Sequence, residues 1–188
     1  MLTYDSLIEQ AKLKNMPAAK IRGILREYLQ VLILKELYRT ETGKKIYFTG
    51  GTYLRLTHNL KRFSEDLDFN TETVSEKEFE SLLTTVKKEL NKTGLVSRIE
   101  YAYWNNVYAG KLIFPDLEKS YNVVSKYSKK EGIVIKIETN KPAYKIKSET
   151  RVISGFGELY PCLCTDKGII FADKIDALNK KKQGQTYL

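Results

Sequence analysis

The sequence predicts an α/β (α+β) fold in which a mixed β-sheet is flanked by helices, with helical segments at both ends. Three observations carry this. Apolar residues recur at helical spacing through the first forty positions, strand and helix signals then alternate from Ile46 to about residue 164, and an amphipathic pattern follows Thr165. The chain has 188 residues, enough for a substantial core, and shows no internal repeat or long linker. A single domain over 1–188 is therefore expected, with a helical lead-in (1–43), an α/β core (44–164) and a C-terminal helix (165–188).

Residues 5–14 and 18–38 read as helices, the second with Ile21, Ile24, Leu25, Tyr28, Leu32 and Leu37 on one side. Pro17 suits a helix start. Ile46-Tyr47-Phe48 reads as a strand running into Gly50-Gly51, Thr52–Asn59 as a short helix, and Asp66–Phe69 as a strand. Ser75 and Glu78 form a Ser-x-x-Glu capping box for a helix that reaches about Asn91 and is stopped by Gly94. Val96–Trp104 and Val107–Phe114 read as a hairpin turning at Asn105-Asn106, whereas 115–131 is ambiguous. Ile133–Thr139 and 159–164 are strands, and Thr165 is the expected cap of a helix to about Lys181, with Ile169, Ile170, Ala172, Ile175 and Leu178 on its apolar side.

Hydrophobic residues make up 42% and charged residues 29%, a globular balance that excludes general disorder. The net charge of +9 favours a polyanionic partner: nucleic acid, a nucleotide or an acidic protein. Lysines spread along the whole chain are the plainer explanation of the same number. Cys162 and Cys164, two apart on a strand, share a face and are too close for a relaxed disulfide. With His58 the only histidine they assemble no zinc site, and buried thiols suit a reducing compartment. No signal peptide and no apolar run long enough to span a bilayer are read, so the expected location is cytoplasmic, without a membrane partner.

Gly50-Gly51-Thr52 stands between a strand and a helix. Glycines there let the backbone turn sharply and approach a ligand, and the helix start offers free N–H groups to phosphate, with the Thr52 hydroxyl as a further donor. On its own the pair is most often only a turn. Asp66-Leu67-Asp68 follows after thirteen residues. On a strand its two carboxylates face one side while Leu67 enters the core, and adjacent like charges call for a cation between them. Oxygen donors suit Mg²⁺ or Mn²⁺ bound together with substrate phosphates. The combination sets a triphosphate beside a metal pair, the arrangement of phosphoryl and nucleotidyl transfer. A third carboxylate is expected from Glu138, as metal ligand or base, with Lys136 on the same face as a nucleotide contact. A surface ion pair between the two is the equal alternative.

These residues resemble the nucleotidyltransferase superfamily of the DNA polymerase β-like type. The fuller strings Tyr47-Phe48-Thr49-Gly50-Gly51-Thr52-Tyr53-Leu54-Arg55-Leu56 and Arg62-Phe63-Ser64-Glu65-Asp66-Leu67-Asp68-Phe69 look like the AbiEii/AbiGii family of toxins from abortive-infection and toxin–antitoxin systems. Phe171 to Leu178 is similar to that family's lysine-bearing helix. The resemblance implies an enzyme moving a nucleoside monophosphate from NTP to an acceptor, RNA and in particular tRNA, with an antitoxin protein as partner. Gly50, Gly51 and Thr52 would contact the triphosphate, Asp66 and Asp68 would hold Mg²⁺ with Ser64 beside them as a nucleotide contact, and Lys174 would neutralise triphosphate charge. Lys174 reads equally well as a surface lysine. The family pattern continues into an Arg-Asp-x-x-Asp stretch, whereas Lys180 to Leu188 carries none, so a short member or one with altered chemistry is expected. The alternatives are a catalytically impaired domain that binds nucleic acid, and nucleotidylation of a protein acceptor.

Overall fold

Thr3 begins the first helix: its hydroxyl accepts the Ser6 N–H at 3.3 Å and opens α1 (Tyr4–Leu13) in the computed structural model, which describes residues 1–123 and 132–182. The helix expected from residue 18 starts as one 3₁₀ turn, Ala18–Lys20, and becomes α2 at Ile21–Tyr38. Then come β1 (Ile46–Thr49), α3 (Gly50–His58), β2 (Leu67–Thr71), α4 (Glu76–Lys92), β3 (Arg98–Trp104) and β4 (Val107–Phe114). A single-turn α5 (Leu117–Ser120), β5 (Ile133–Asn140), β6 (Ser148–Gly155), β7 (Glu158–Thr165) and α6 (Lys167–Lys182) complete the order. The expected fold class holds: among the described residues seven strands form one mixed sheet in the order β3-β4-β5-β2-β1-β7-β6. β2 runs parallel to β5 and β1 parallel to β7, and the remaining neighbours are antiparallel.

Local chemistry explains most boundaries. Ser75 and Glu78 make the reciprocal capping box that starts α4. Asn105 takes a positive φ of 51° in the two-residue turn between β3 and β4. Along β5, Ile133, Ile135 and Ile137 are fully buried, while Val134, Lys136 and Glu138 are only half-buried on the opposite face. The buried face packs beneath α2 and α4, where Leu25, Leu29, Phe79 and Leu83 are solvent-free. Cys162 and Cys164 point into this core as unpaired thiols. No helix among the described residues is long and apolar enough to cross a membrane.

Four elements differ from expectation. β6 has no counterpart in the sequence reading. Its hairpin to β7 turns on Phe156-Gly157 at φ of 54° and 80°, where an Asn-Gly pair would have been the recognisable signal. Phe156 accepts that backbone because its buried ring packs on Tyr28, centroids 5.5 Å apart. Thr165 does not cap α6: it is buried as the last residue of β7, and the Asp166 carboxylate accepts the Gly168 N–H at 2.9 Å instead. Among the described side chains of α6 only Ile170 is buried, Ile169 is half-buried, and Ala172 and Ile175 are exposed. Finally, α3 begins at Gly50 rather than Thr52, and β2 at Leu67 rather than Asp66. The side chains of Leu178 and Lys180 to Lys182, and the stretch 183–188, lie outside the described residues.

Candidate active site

β1 and β2 are antiparallel neighbours with Thr49 opposite Asp68, so the chain leaving β1 turns into α3 beside that carboxylate. Gly50 makes the turn at φ of 78°, and a Cβ there would stand 2.1 Å from Asp68 Oδ2. At Gly51 a Cβ would stand 2.7 Å from Ser64 Oγ. Gly50 is thus required both by its backbone and by crowding against Asp68, whereas a side chain at Gly51 would displace only the Ser64 hydroxyl. The N-terminal N–H groups of α3 lack intrahelical partners and carry the positive end of the helix dipole.

Thr52 departs from the expected geometry. Its side chain is fully buried, and its hydroxyl donates to the Asp66 carbonyl. It ties the first turn of α3 to the acidic strand rather than facing a ligand. Ser64, whose Oγ lies beside Gly51, is the hydroxyl left at that edge.

The segment leading to Asp66 is held from below by α2, a contribution the sequence reading did not foresee. The Gln30 amide donates to the carbonyls of both Ser64 and Glu65 at 3.0 Å, and Arg26 pairs with Glu65 at 2.7 Å. Arg55 donates to buried Glu27 at 2.8 Å and to the Leu60 carbonyl, and its guanidinium stacks over Phe63 at 5.1 Å. Phe63 also rests on Gly23, where a Cβ would come within 3.3 Å of the ring. Polar residues at buried positions of an amphipathic helix were the available signal, visible only once the helix face was known.

Asp68 lies level with Glu138 in the parallel pairing of β2 with β5, so the two carboxylates share a face, and Asp66 precedes them at the strand end. Burial, then the neighbouring charges of Asp66 and Glu138, push the Asp68 carboxyl up to about 6, against the opposing pull of Lys174 and Lys136. Asp66 is also raised, chiefly by burial. Asp66, Glu138, Lys136 and Lys174 are therefore all close enough for their charges to act on Asp68. Among the described residues neither Asp66 nor Asp68 accepts a side-chain hydrogen bond or forms an ion pair. Two half-desolvated, unpartnered carboxylates are a donor set that fits a hard divalent cation. Glu138 is drawn off by Lys136 at 2.7 Å, and among the described residues no three acidic side chains gather into a ready-made cage.

Lys174 comes from α6, which borders an apolar groove of about 420 Å³ lined by Leu54, His58, Ile170 and Phe171. His58 ends α3 and shares a hydrogen bond of 3.1 Å with the Tyr53 hydroxyl, in keeping with a polar helix-end residue. The aromatic residues of the hairpin divide between two roles. Tyr101 and Tyr103 bond to Glu80 of α4, and Tyr108 packs on Phe79, so these are packing residues. Trp104 lies on the opposite face, with Lys136 5.5 Å from its ring centre.

The model of a family described as "Nucleotidyl transferase AbiEii toxin, Type IV TA system" matches residues 32–186. Among solved structures, MenT4, a nucleotidyltransferase toxin of Mycobacterium tuberculosis, is similar over 93% of this chain and 58% of its own, with 18% identity and a TM-score of 0.61. JHP933 from Helicobacter pylori is similar over 81% of this chain and 55% of its own, with 23% identity and a TM-score of 0.52. This chain thus spans a little over half the length of each, and at such identities the likeness is one of fold. No curated protein sequence matches.

Proposed function

Since the chain belongs to the AbiEii nucleotidyl transferase toxin family, we propose that it moves a nucleoside monophosphate from an NTP to an RNA acceptor, tRNA in particular, as the toxin of an antitoxin-controlled pair. The observation that carries the reading is the juxtaposition of Gly50 at the start of α3 with the unpartnered carboxylates of Asp66 and Asp68. An anion site and a cation site there share one edge.

In this reading the free N–H groups of the first turn of α3 donate to triphosphate oxygens, with Ser64 beside them and Lys174 facing the same charge. Asp66 and Asp68 would hold Mg²⁺ or Mn²⁺, which would supply positive charge to the reacting phosphate. The acceptor hydroxyl oxygen bonds to the α-phosphorus, the bond from that phosphorus to the bridging oxygen breaks, and pyrophosphate leaves. Glu138, on the next strand, takes the hydroxyl proton, and the Lys136 ammonium, 2.7 Å away, orients its carboxylate.

The test incubates labelled NTPs with the chain, divalent metal, total RNA and total protein, comparing wild type with Asp66→Ala. The expected result is metal-dependent label on RNA from wild type alone. Label on protein only would replace the acceptor, and no metal-dependent label on either would overturn the reading.

A further inference from the structure

The site face of the sheet continues past Glu138 into a region to which no role has been assigned. Strand pairing sets Asp68 level with Glu138, Glu138 with Ala109, and Ala109 with Ala102. The adjacent row runs Lys136, Lys111, Glu100. Directly paired residues share a face, so a floor of two alanines extends from the carboxylates to the sheet edge. Trp104 stands at its far side, 41% exposed, with Lys136 against its ring. Together they enclose a recess of about 240 Å³ lined by Trp104, Ala102, Ala109, Lys111, Lys136 and Glu100.

We propose that this recess receives the terminal nucleotide of a single-stranded acceptor, its base stacked on the Trp104 indole and its phosphate facing Lys111. The inference rests on the transfer reading above and adds the acceptor's place and the way it is held. Three features support it. An exposed indole fixed by a cation offers a flat surface that any base can stack on. Lys111 is exposed, and Glu100 opposite it pairs with Arg98 at 3.2 Å, which leaves the lysine's charge for a phosphate. The recess has room for one unstacked ring system but not for a paired stack.

Position favours the acceptor over the base of the NTP. The triphosphate side of the site is Gly50, on the β1 side of Asp68, while the recess lies beyond Glu138 on the β3 side. In-line displacement brings the attacking hydroxyl from the side opposite the leaving pyrophosphate. A strand end stacked on Trp104 would present its hydroxyl across Ala109, one strand (~4.8 Å) from Glu138. Lys136 touches both ends of this path, 5.5 Å from the indole centre and 2.7 Å from the Glu138 carboxylate.

Trp104 is the only tryptophan beside 13 tyrosines, so fluorescence excited beyond the tyrosine absorption reports this recess alone. The full chain is titrated with a short single-stranded RNA bearing a 3′-hydroxyl, with the same RNA as a blunt duplex, and with NTP plus Mg²⁺. Saturable quenching by the single strand, and little by duplex or NTP, is expected. By anisotropy of the labelled strand, Trp104→Ala should weaken binding about tenfold and Trp104→Phe far less. Lys111→Ala should lower the salt dependence by about one phosphate contact. Quenching by NTP alone at least as strong as by the strand would assign the recess to the donor base and overturn the proposal. So would the absence of quenching, or unchanged strand affinity in Trp104→Ala. Neither titration requires chemistry: transfer without quenching sinks the recess alone, while quenching in a chain that never transfers label supports the recess and sinks the transfer reading.

Discussion

Gly50 and Asp68 are in such close approach that a methyl group on the first would stand 2.1 Å from a carboxylate oxygen of the second. The glycine also holds φ of 78°, which an L-residue adopts at a cost of about 1–2 kcal/mol. Gly50→Ala should therefore lower the melting temperature by about 3–6 °C and displace Asp68, reducing transfer by at least about a hundredfold. Gly51→Ala meets only the Ser64 hydroxyl, the far end of a short side chain that can rotate away. Its loss should be smaller in both thermal melting and transfer rate.

Asp68 pays for its position in stability. Its folded carboxyl is raised from 3.8 to about 6, so the folded state holds the proton more tightly than the unfolded chain. Stability in EDTA should then fall as pH rises from about 4 to about 6 and level off above, a loss of at most about 3 kcal/mol from this group. Asp68→Asn, which removes the charge but keeps the shape, should melt several degrees higher than wild type at neutral pH while losing transfer. Mg²⁺ should raise the wild-type melting temperature and leave that of the variant unchanged. A variant that melts at or below wild type in EDTA would contradict the strain assigned to this carboxylate.

Thr52 separates two readings of the glycine motif. A hydroxyl that ties α3 to the Asp66 carbonyl predicts that Thr52→Val costs about 1–2 kcal/mol and lowers kcat by letting Asp66 shift, with KM for NTP within about twofold. Thr52→Ser should restore both. A hydroxyl that contacted the triphosphate would instead raise KM in the valine variant, and steady-state kinetics across NTP concentration tell the two apart.

The Arg55 guanidinium and the Glu27 carboxylate are only 7% and 3% exposed, and they meet at 2.8 Å. Truncating Arg55 leaves the buried Glu27 with only the longer Lys14 pair at 3.8 Å, which costs about 3 kcal/mol, the low end for a broken buried pair. Arg55→Ala should drop the melting temperature by about 10 °C and, by freeing Leu60 and Phe63, loosen the loop that carries Ser64. Arg55→Lys should recover little, since lysine cannot span Glu27, Leu60 and the Phe63 ring together. Thermal unfolding of the three proteins checks the order.

What was legible in the sequence follows from what was local. Alternation along Ile133 to Glu138 and the Ser75/Glu78 box each state their geometry within a few residues, and the structure repeats them, while of the Asp66-Leu67-Asp68 run only Leu67 and Asp68 are paired in β2. β6 was hidden because its turn uses Phe156, whose left-handed backbone is held by a long-range contact with Tyr28. Thr165 looked like a cap because threonine and aspartate are adjacent, and only the sheet pairing shows that the strand runs through the first of them. Gln30 and Arg26 read as ordinary positions of α2, since the loop they hold lies more than thirty residues away. Strand alternation by itself sets Trp104 on the face opposite Tyr101 and Tyr103; what it could not show is that Glu80 of α4 holds the tyrosines' face.

Glu138 and Lys136 act on Asp68 with opposite sign, and that opposition can be measured. The Glu138 charge raises the Asp68 carboxyl and the Lys136 charge lowers it. Metal binding requires the ionised carboxylate, so Mg²⁺ affinity should weaken as pH falls through about 6 in wild type. Glu138→Gln should move that loss to lower pH, and Lys136→Met should move it to higher pH. If Glu138 is also the base, Glu138→Gln should reduce kcat by about a hundredfold at the pH where metal affinity is fully retained, with KM for NTP nearly unchanged. Calorimetric Mg²⁺ titrations across pH, paired with kcat, separate the two effects. A purely structural ion pair between Glu138 and Lys136 would move the pH of metal loss in the same directions and leave kcat within a few-fold of wild type.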